Sequence, residues 1–247
     1  MKILFLQKRF LFPTDTGGKI RTLNIVRHLA QWHDVVYLCN ERPEDQGYRK
    51  EMEALGVDLR TVPWDETPRY TPRFYMELVA NLFSRYPFNV NKDYDVTIKQ
   101  RLQEIVRSEQ IDLVICDFVQ MARNVTGIDS VPKLLFEHNV EAKIFERHSR
   151  TDKGFLRRCY MYLQWKKMFA FEKAAGATFD RVVAVSPQDR DTYQTDYGWN
   201  HVDVIDTSVD TNTFQNQPGG TVAGRLVFVG SMDWLPNIDA MTWFVNE

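Results

Sequence analysis

The chain has 247 residues, of which 44% are hydrophobic and 26% charged, an ordinary globular composition over a length that buries a large core. Length alone accommodates one large α/β domain or one domain plus a piece of another. A formal charge of −2 argues against a generic nucleic-acid binder, which would show a strongly basic domain.

Three cysteines, Cys39, Cys116 and Cys159, are far apart and have neither metal-ligand nor CxxC spacing. Cys39 and Cys116 lie in apolar runs and read as small buried residues in a reducing compartment. The apolar stretch 3–6 is too short for a signal-peptide core, and no run approaches a membrane span. The expected location is cytoplasmic, with a membrane-surface habit left open.

Short β-like runs alternate with helical stretches along the chain. Residues 3–6 read as a buried strand. A loop with Pro13 and Gly17-Gly18 follows, and Ile20, Leu23, Val26 and Leu29 then recur at helical spacing. Strand 35–39, a helical stretch 44–55 and strand 57–62 come next. Residues 70–86 and 92–109 read as helical, the second with Ile98, Leu102, Ile105 and Val106 on one apolar face. Runs 113–116 and 133–136 are further strands. A long helical region spans 141–175, with a break near Gly154. Strands 181–185 and 202–205 complete the set.

Continuous Val/Ile/Leu runs between helices predict a parallel sheet covered on both faces, an α/β Rossmann-like fold. Residues 1–214 form the expected N-terminal domain. Residues 215–224, rich in Gly and Pro, read as a linker. Strand 226–229, Gly230 and a helix starting near Pro236 read as the opening of a further domain; the alternative is that they complete the first sheet.

Four sites carry candidate chemistry. Gly17-Gly18 precedes a helix, where backbone amides attract anions and glycines allow close approach; a tight turn with no ligand is the competing reading. Neither GxGxxG nor a P-loop is present. The run Glu137-His138-Asn139-Val140-Glu141 follows a buried strand, and ligands of doubly wound sheets collect at strand carboxyl ends. Asn139 as a helix cap with Glu141 in the first turn would explain two of these residues and leave Glu137 and His138 over. Ser186, followed by Pro187, reads first as an N-cap. Residues 153–173 interleave basic and aromatic side chains. They read as a helix packing aromatics inward, or as a surface for anionic membranes.

The chain resembles the retaining GT-B glycosyltransferases of the large group 1, or family four, class, particularly those of bacterial surface-polysaccharide biosynthesis. The resemblance rests on Gly17-Gly18 with the helix through Arg21, on residues 135–147, on 171–173 with 180–189, and on 204–214. It is most specific over 228–240, which is similar to the first strand, loop and helix of the family's C-terminal domain. It implies two Rossmann-like domains facing a cleft, the first mainly binding a saccharide or lipid-linked saccharide acceptor and the second mainly the nucleotide-sugar donor. It implies no cofactor, no tightly bound metal and no nucleic-acid partner.

Carried over, Gly17 and Gly18 would approach the donor diphosphate, and Gly230 would lie on the donor side. His138 would be catalytic beside the donor sugar, through its ring or its carbonyl. Glu137, Asn139, Glu141 and Ser186 would shape the cleft on the acceptor side. Thr207-Ser208 stands where the family usually has Asn-Gly. The expected donor domain extends beyond Glu247, so this chain is expected to be incomplete for catalysis. The alternative is a non-catalytic acceptor- or lipid-binding module, or one subunit of a split enzyme. An oxidoreductase is disfavoured by the missing dinucleotide fingerprint.

Overall fold

The computed structural model describes residues 1–152, 154–207, 211, 215, 219, 222–232 and 235–247. Lys153, Ser208 to Asp210, Phe214, Asn216, Pro218, Gly220, Asp233 and Trp234, which enter the sequence reading, lie outside the described residues. The chain divides into two units, Met1–Ser208 and Val209–Glu247.

The first unit is built on seven parallel strands: β1 (Lys2–Leu6), β2 (Asp34–Glu41), β3 (Asp58–Pro63), β4 (Leu113–Asp117), β5 (Lys133–Phe136), β6 (Arg181–Ala184) and β7 (Val202–Val204). Their spatial order is β3-β2-β1-β4-β5-β6-β7. The helices are α1 (Gly17–Trp32), α2 (Arg49–Glu53), α3 (Pro72–Leu82), α4 (Phe88–Lys92), α5 (Val96–Ser108), α6 (Ala122–Val125), α7 (Glu141–Thr151), α8 (Phe155–Gly176) and α9 (Pro187–Thr192). The fold is the Rossmann-like α/β sheet that the alternating pattern implies.

The two-residue period of the strands sorts their side chains into two cores. Leu4, Leu6, Val114, Cys116, Leu135 and Val182 share one with Ile98, Leu102 and Ile105 of α5. Ile3, Phe5, Ile115, Phe136 and Val183 share the other with Leu23 and Val26 of α1. Both faces of the central strands are therefore covered, whereas β3 and β7 at the edges carry exposed polar residues such as Asp58 and Asp203. Cys39 and Cys116 are buried, and burial raises both thiols well above their ordinary range.

The chain runs outward from β1 through β2 to β3, then returns to place β4 on the other side of β1. The β1/β4 boundary is thus the switch point, where adjacent loops diverge and leave a crevice at the strands' carboxyl ends.

The helical region 141–175 is two helices, α7 and α8, packed on one another. Aromatics of α8 do not all turn inward: Phe155 and Tyr162 are exposed, whereas Trp165, Phe169 and Phe171 are partly buried. The last turn of α8 meets the chain before β7 at Gly176, where an added Cβ would lie 2.1 Å from the Trp199 ring.

In the second unit, helix α10 (Leu235–Asn246) forms as expected. Among the described residues, 226–229 pair with no strand and are exposed, Val229 by 91%, so the expected strand is not formed there. An added Cβ at Gly230 would meet Phe228 at 2.7 Å, so the glycine belongs to the turn into α10.

Gly176→Ala should lower the melting temperature of the chain by several degrees. Overpacking costs about 1–3 kcal/mol, and each kcal/mol moves a domain of this size by about 2–4 °C. Thermal unfolding followed by circular dichroism checks this; an unchanged transition would mean that Trp199 moves aside freely.

Candidate active site at the sheet's switch point

Asp117 closes β4 and is fully buried. A carboxylate taken out of water needs donors, and three elements supply them. Gln7, just past β1, donates through Nε2; Thr22 of α1 donates through Oγ1 at 2.8 Å; His138, after β5, donates through Nε2 at 2.6 Å. Because a carboxylate only accepts, the imidazole carries its proton on Nε2. In the neutral ring the lone pair then sits on Nδ1, 3.9 Å from where a Cβ on Gly18 would stand.

Phe118, the next residue, stacks on the imidazole with centroids 3.8 Å apart and planes 9° apart. Its ring edge would lie 3.1 Å from a Cβ on Gly18, so this glycine makes room for the stack. Phe118 adopts φ 73° and ψ 134°. That left-handed conformation is costly for a bulky residue, and such strain gathers where geometry matters. Gly17, by contrast, has nothing within 4 Å of an added Cβ: its packing in this chain leaves that space open.

His138 is 9% exposed. The ring lies behind Phe118, close to the paired glycines as expected, and its carbonyl accepts no hydrogen bond among the described residues.

Glu137 does not face the crevice. It shares its parity with Leu135 and lies on the opposite face of the sheet from His138, 1% exposed. Neither carboxyl oxygen closes a hydrogen bond; the Val119 amide is near enough only to favour the charged form slightly. Burial, reinforced by Glu172 and Glu141, pushes this carboxyl well above the usual range.

Asn139 is exposed and does not cap α7. Glu172 of α8 does so, its carboxylate accepting from the amides of Glu141 at 2.9 Å and Ala142 at 3.1 Å. Tyr197 at 2.7 Å and Tyr193 at 3.5 Å donate to the same group. Tyr193 also holds the Asn139 carbonyl at 3.0 Å. Glu141 is pushed up to about 7 by burial and by Glu172, with the Gln120 and Asn139 amides opposing. Glu172 is pushed up to about 7 by burial, its hydrogen bonds opposing.

Ser186 is an N-cap: its Oγ accepts from the Asp189 amide at 3.1 Å and donates to the Asp189 carboxylate at 2.7 Å. Gly230 belongs to the second unit and has been described there. Sequence reading passed over Asp117, Phe118, Gln7 and Glu172. An acid closing the apolar run of β4 was the visible signal for the first of these.

Beside Gly18 lies a cleft of about 340 Å³, within the range of small-ligand sites. Its walls are the loop after β1, the start of α1 and the residues after β4, including Lys8, Arg9, Phe118 and Gln120. Arg21 of α1 reaches the Ile205 carbonyl and lies over the Phe136 ring at 4.6 Å, tying the end of β7 to the same edge. Among the described residues no group of His, Cys, Asp or Glu is arranged to hold a metal ion.

The raised acids make a pH prediction. In the folded chain Glu141 keeps its proton up to about pH 7, whereas the unfolded chain loses it near 4.5. Its contribution is greatest below the lower value and declines as pH rises through this window. Glu141→Gln should therefore gain stability relative to the parent between pH 5 and pH 8, read as the difference in urea midpoints. A gain in the opposite direction would mean that the carboxylate is stabilised by its surroundings.

The family model described as Glycosyltransferase Family 4 matches residues 16–213. Among solved structures, sucrose-phosphate synthase from Thermosynechococcus elongatus aligns with TM-score 0.51 at 14% identity, covering 87% of this chain and 50% of that one. Arabidopsis thaliana UGT89C1 aligns with TM-score 0.49 at 12% identity, covering 100% of this chain and 55% of that one. At such identities the likeness concerns the fold, and the chain spans about half the length of these structures. No curated protein matches. With most of the first unit, from the start of α1 onward, inside the match, the chain belongs to glycosyltransferase family 4.

Proposed function

We propose that this chain supplies the acceptor-side half of a retaining, metal-independent glycosyltransferase. That enzyme moves a sugar from a nucleotide-sugar donor to a saccharide or lipid-linked saccharide in polysaccharide biosynthesis. The observation that carries the reading is the imidazole of His138, fixed by Asp117 and set against the glycine turn at the switch point. The free amides of the first turn of α1 offer positive potential to the donor diphosphate, and Gly17 leaves room for it. His138 then lies next to the sugar carried by that diphosphate. Its carbonyl and its Nδ1 edge stabilise positive charge developing on the sugar ring, held in one orientation by Asp117. Residues 225–247 are read as the opening of the donor-binding domain. Clamping of the leaving diphosphate is then shared with groups outside this chain.

His138→Ala in the chain carrying its downstream coding sequence should reduce kcat about 100-fold with a smaller change in the donor KM. Asp117→Asn should follow in the same direction, as a positioning change. Sugar transfer from a panel of nucleotide sugars measures both; no transfer from any donor by the parent protein would sink the assignment.

A membrane-surface habit is part of the reading, and α3 supports it more than the mixed segment 153–173. Tyr75, Met76, Val79, Leu82 and Phe83 line one side of α3 and its end, and all are exposed, Phe83 by 90%. Arg69 and Arg85 flank the stripe, and Lys167 of α8 reaches the carbonyls of Asn81 and Leu82. Apolar residues bordered by cations suit the surface of an anionic bilayer, where a lipid-linked acceptor would reside. The chain should sediment with phosphatidylglycerol vesicles and much less with phosphatidylcholine, and Met76→Glu with Phe83→Glu should release it. Equal sedimentation by the double variant would remove α3 from the contact.

A further inference from the structure

The carboxylates around the cleft already have cationic partners, and Arg42 serves Glu44 and Glu66 as well as Asp45. Lys8 pairs with Asp93 at 2.6 Å, Lys19 with Asp15 at 2.9 Å, Arg42 with Asp45 at 2.8 Å, and Lys92 with Glu66. Arg9 lies among these groups and its charge acts on Asp15, Asp45 and Glu66. Among the described residues its guanidinium closes neither an ion pair nor a hydrogen bond. Among the described residues that line the cleft, Lys8, Arg9 and Lys19 meet only Asp15 and Asp93, so one positive charge is left over, on the half-buried side chain of Arg9.

We infer that this cleft receives an anionic group of the sugar acceptor, a phosphate or a carboxylate, and that Arg9 is the residue that reads it. The inference rests on the glycosyltransferase reading above and adds the chemical class of the acceptor. A guanidinium presents a planar fork of donors that fits both anions bidentately. Gln120 lines the same cleft. The half-buried Phe118 ring supplies an apolar wall for a pyranose face.

Arg9 and Gly18 line the same cleft, so what distinguishes this anion from the donor diphosphate is the flank on which it stands. Arg9 follows β1, its carbonyl tied to the Tyr37 hydroxyl of β2 at 3.0 Å, and neighbouring Lys8 lies over Trp64, just past β3. His138 follows β5, on the other side of the switch point. With strands roughly 4.8 Å apart, β1 and β5 stand about 10 Å from each other. The leaving diphosphate is bonded directly to the reacting carbon and belongs next to His138 and the amides of α1. An anion on the β2 flank belongs to the other substrate, on a part of it remote from the hydroxyl that attacks.

The test is binding to this chain, measured by calorimetry with glucuronate, glucose 6-phosphate, glucose, inorganic phosphate and UDP. One or both anionic sugars should bind at least about tenfold more tightly than glucose and than inorganic phosphate. Arg9→Gln should weaken the anionic sugars by about tenfold or more, the scale of one charge-assisted contact, and leave UDP unchanged. Arg9→Lys should restore part of the loss. Arg9 has no partner among the described residues, so an unaltered thermal transition should show that both variants fold.

Binding of glucose as tight as that of the anionic sugars, no binding of either anionic sugar, or no effect of Arg9→Gln would overturn the inference. Binding of phosphate alone as tight as that of glucose 6-phosphate would mark a free-anion site and overturn it too. If Arg9→Gln weakened UDP instead, the arginine would belong to the donor. None of these readouts needs turnover. Failure of sugar transfer by the extended protein, which tests the broader reading, is therefore seen separately.

Discussion

A single buried carboxylate organises the functional edge of this sheet. Asp117 lies at the end of a strand with no access to water, so its charge is tolerable only if several groups turn toward it. The donors come from the loop after β1, from the second turn of α1 and from the loop after β5. Three segments distant in sequence are thereby locked to β4. The imidazole, the glycine turn and the strained Phe118 inherit their positions from that one group. Removing its charge would release the tautomer of His138 as well as its orientation.

The two-residue alternation of the strands explains how consecutive residues acquire opposite roles. Phe136 packs on the α1 side of the sheet and Leu135 on the α5 side. Continued past the strand end, the alternation sends His138 toward α1, Gly18 and Asp117, and Glu137 toward α7, α8 and Tyr193. On that second side the protein gathers Glu137, Glu141 and Glu172 in its interior. The arrangement is bearable because Glu172 collects four donors, two of them the first amides of α7, while Glu137 is held on the protonated side by burial and by its neighbours. The loop that carries His138 is thus held from below by a helix cap on another helix.

The sheet was legible because its strands are short apolar runs separated by helical spacing, a pattern set by burial of both faces. The alternation does not fix the order of the strands, and with it the position of the crevice, which the structure supplies. The site was legible only in part. Reading the turn after β5 located His138 near Gly18, but taking Glu137, His138, Asn139 and Glu141 as one cluster ignored strand parity, which divides them. The cap on α7 comes from Glu172, thirty-one residues further along. Local spacing carries no trace of a contact made by tertiary packing, and Asn139, the better local candidate, is left exposed. Ser186 was read correctly because its cap lies within its own turn. The strand expected at 226–229 had the right composition, but composition supplies no neighbour with which to form a ladder.

The switch point gives the crevice two chemically different flanks. On the β5 flank the side chains are committed: His138 to Asp117, Glu141 and Glu172 to the cap region, Arg21 to the chain after β7. Such groups are fixed before any ligand arrives, which is what a reacting centre requires. The β2 flank holds ion pairs, two of them on the buried carboxylates of Asp45 and Asp93, with Arg9 left without a partner among the described residues. On the proposed reading, chemistry is held rigid by buried hydrogen bonds while recognition falls to the charges of the β2 flank. The same sheet could then serve different acceptors by changing the loop after β1 and leaving Asp117 and its three donors untouched.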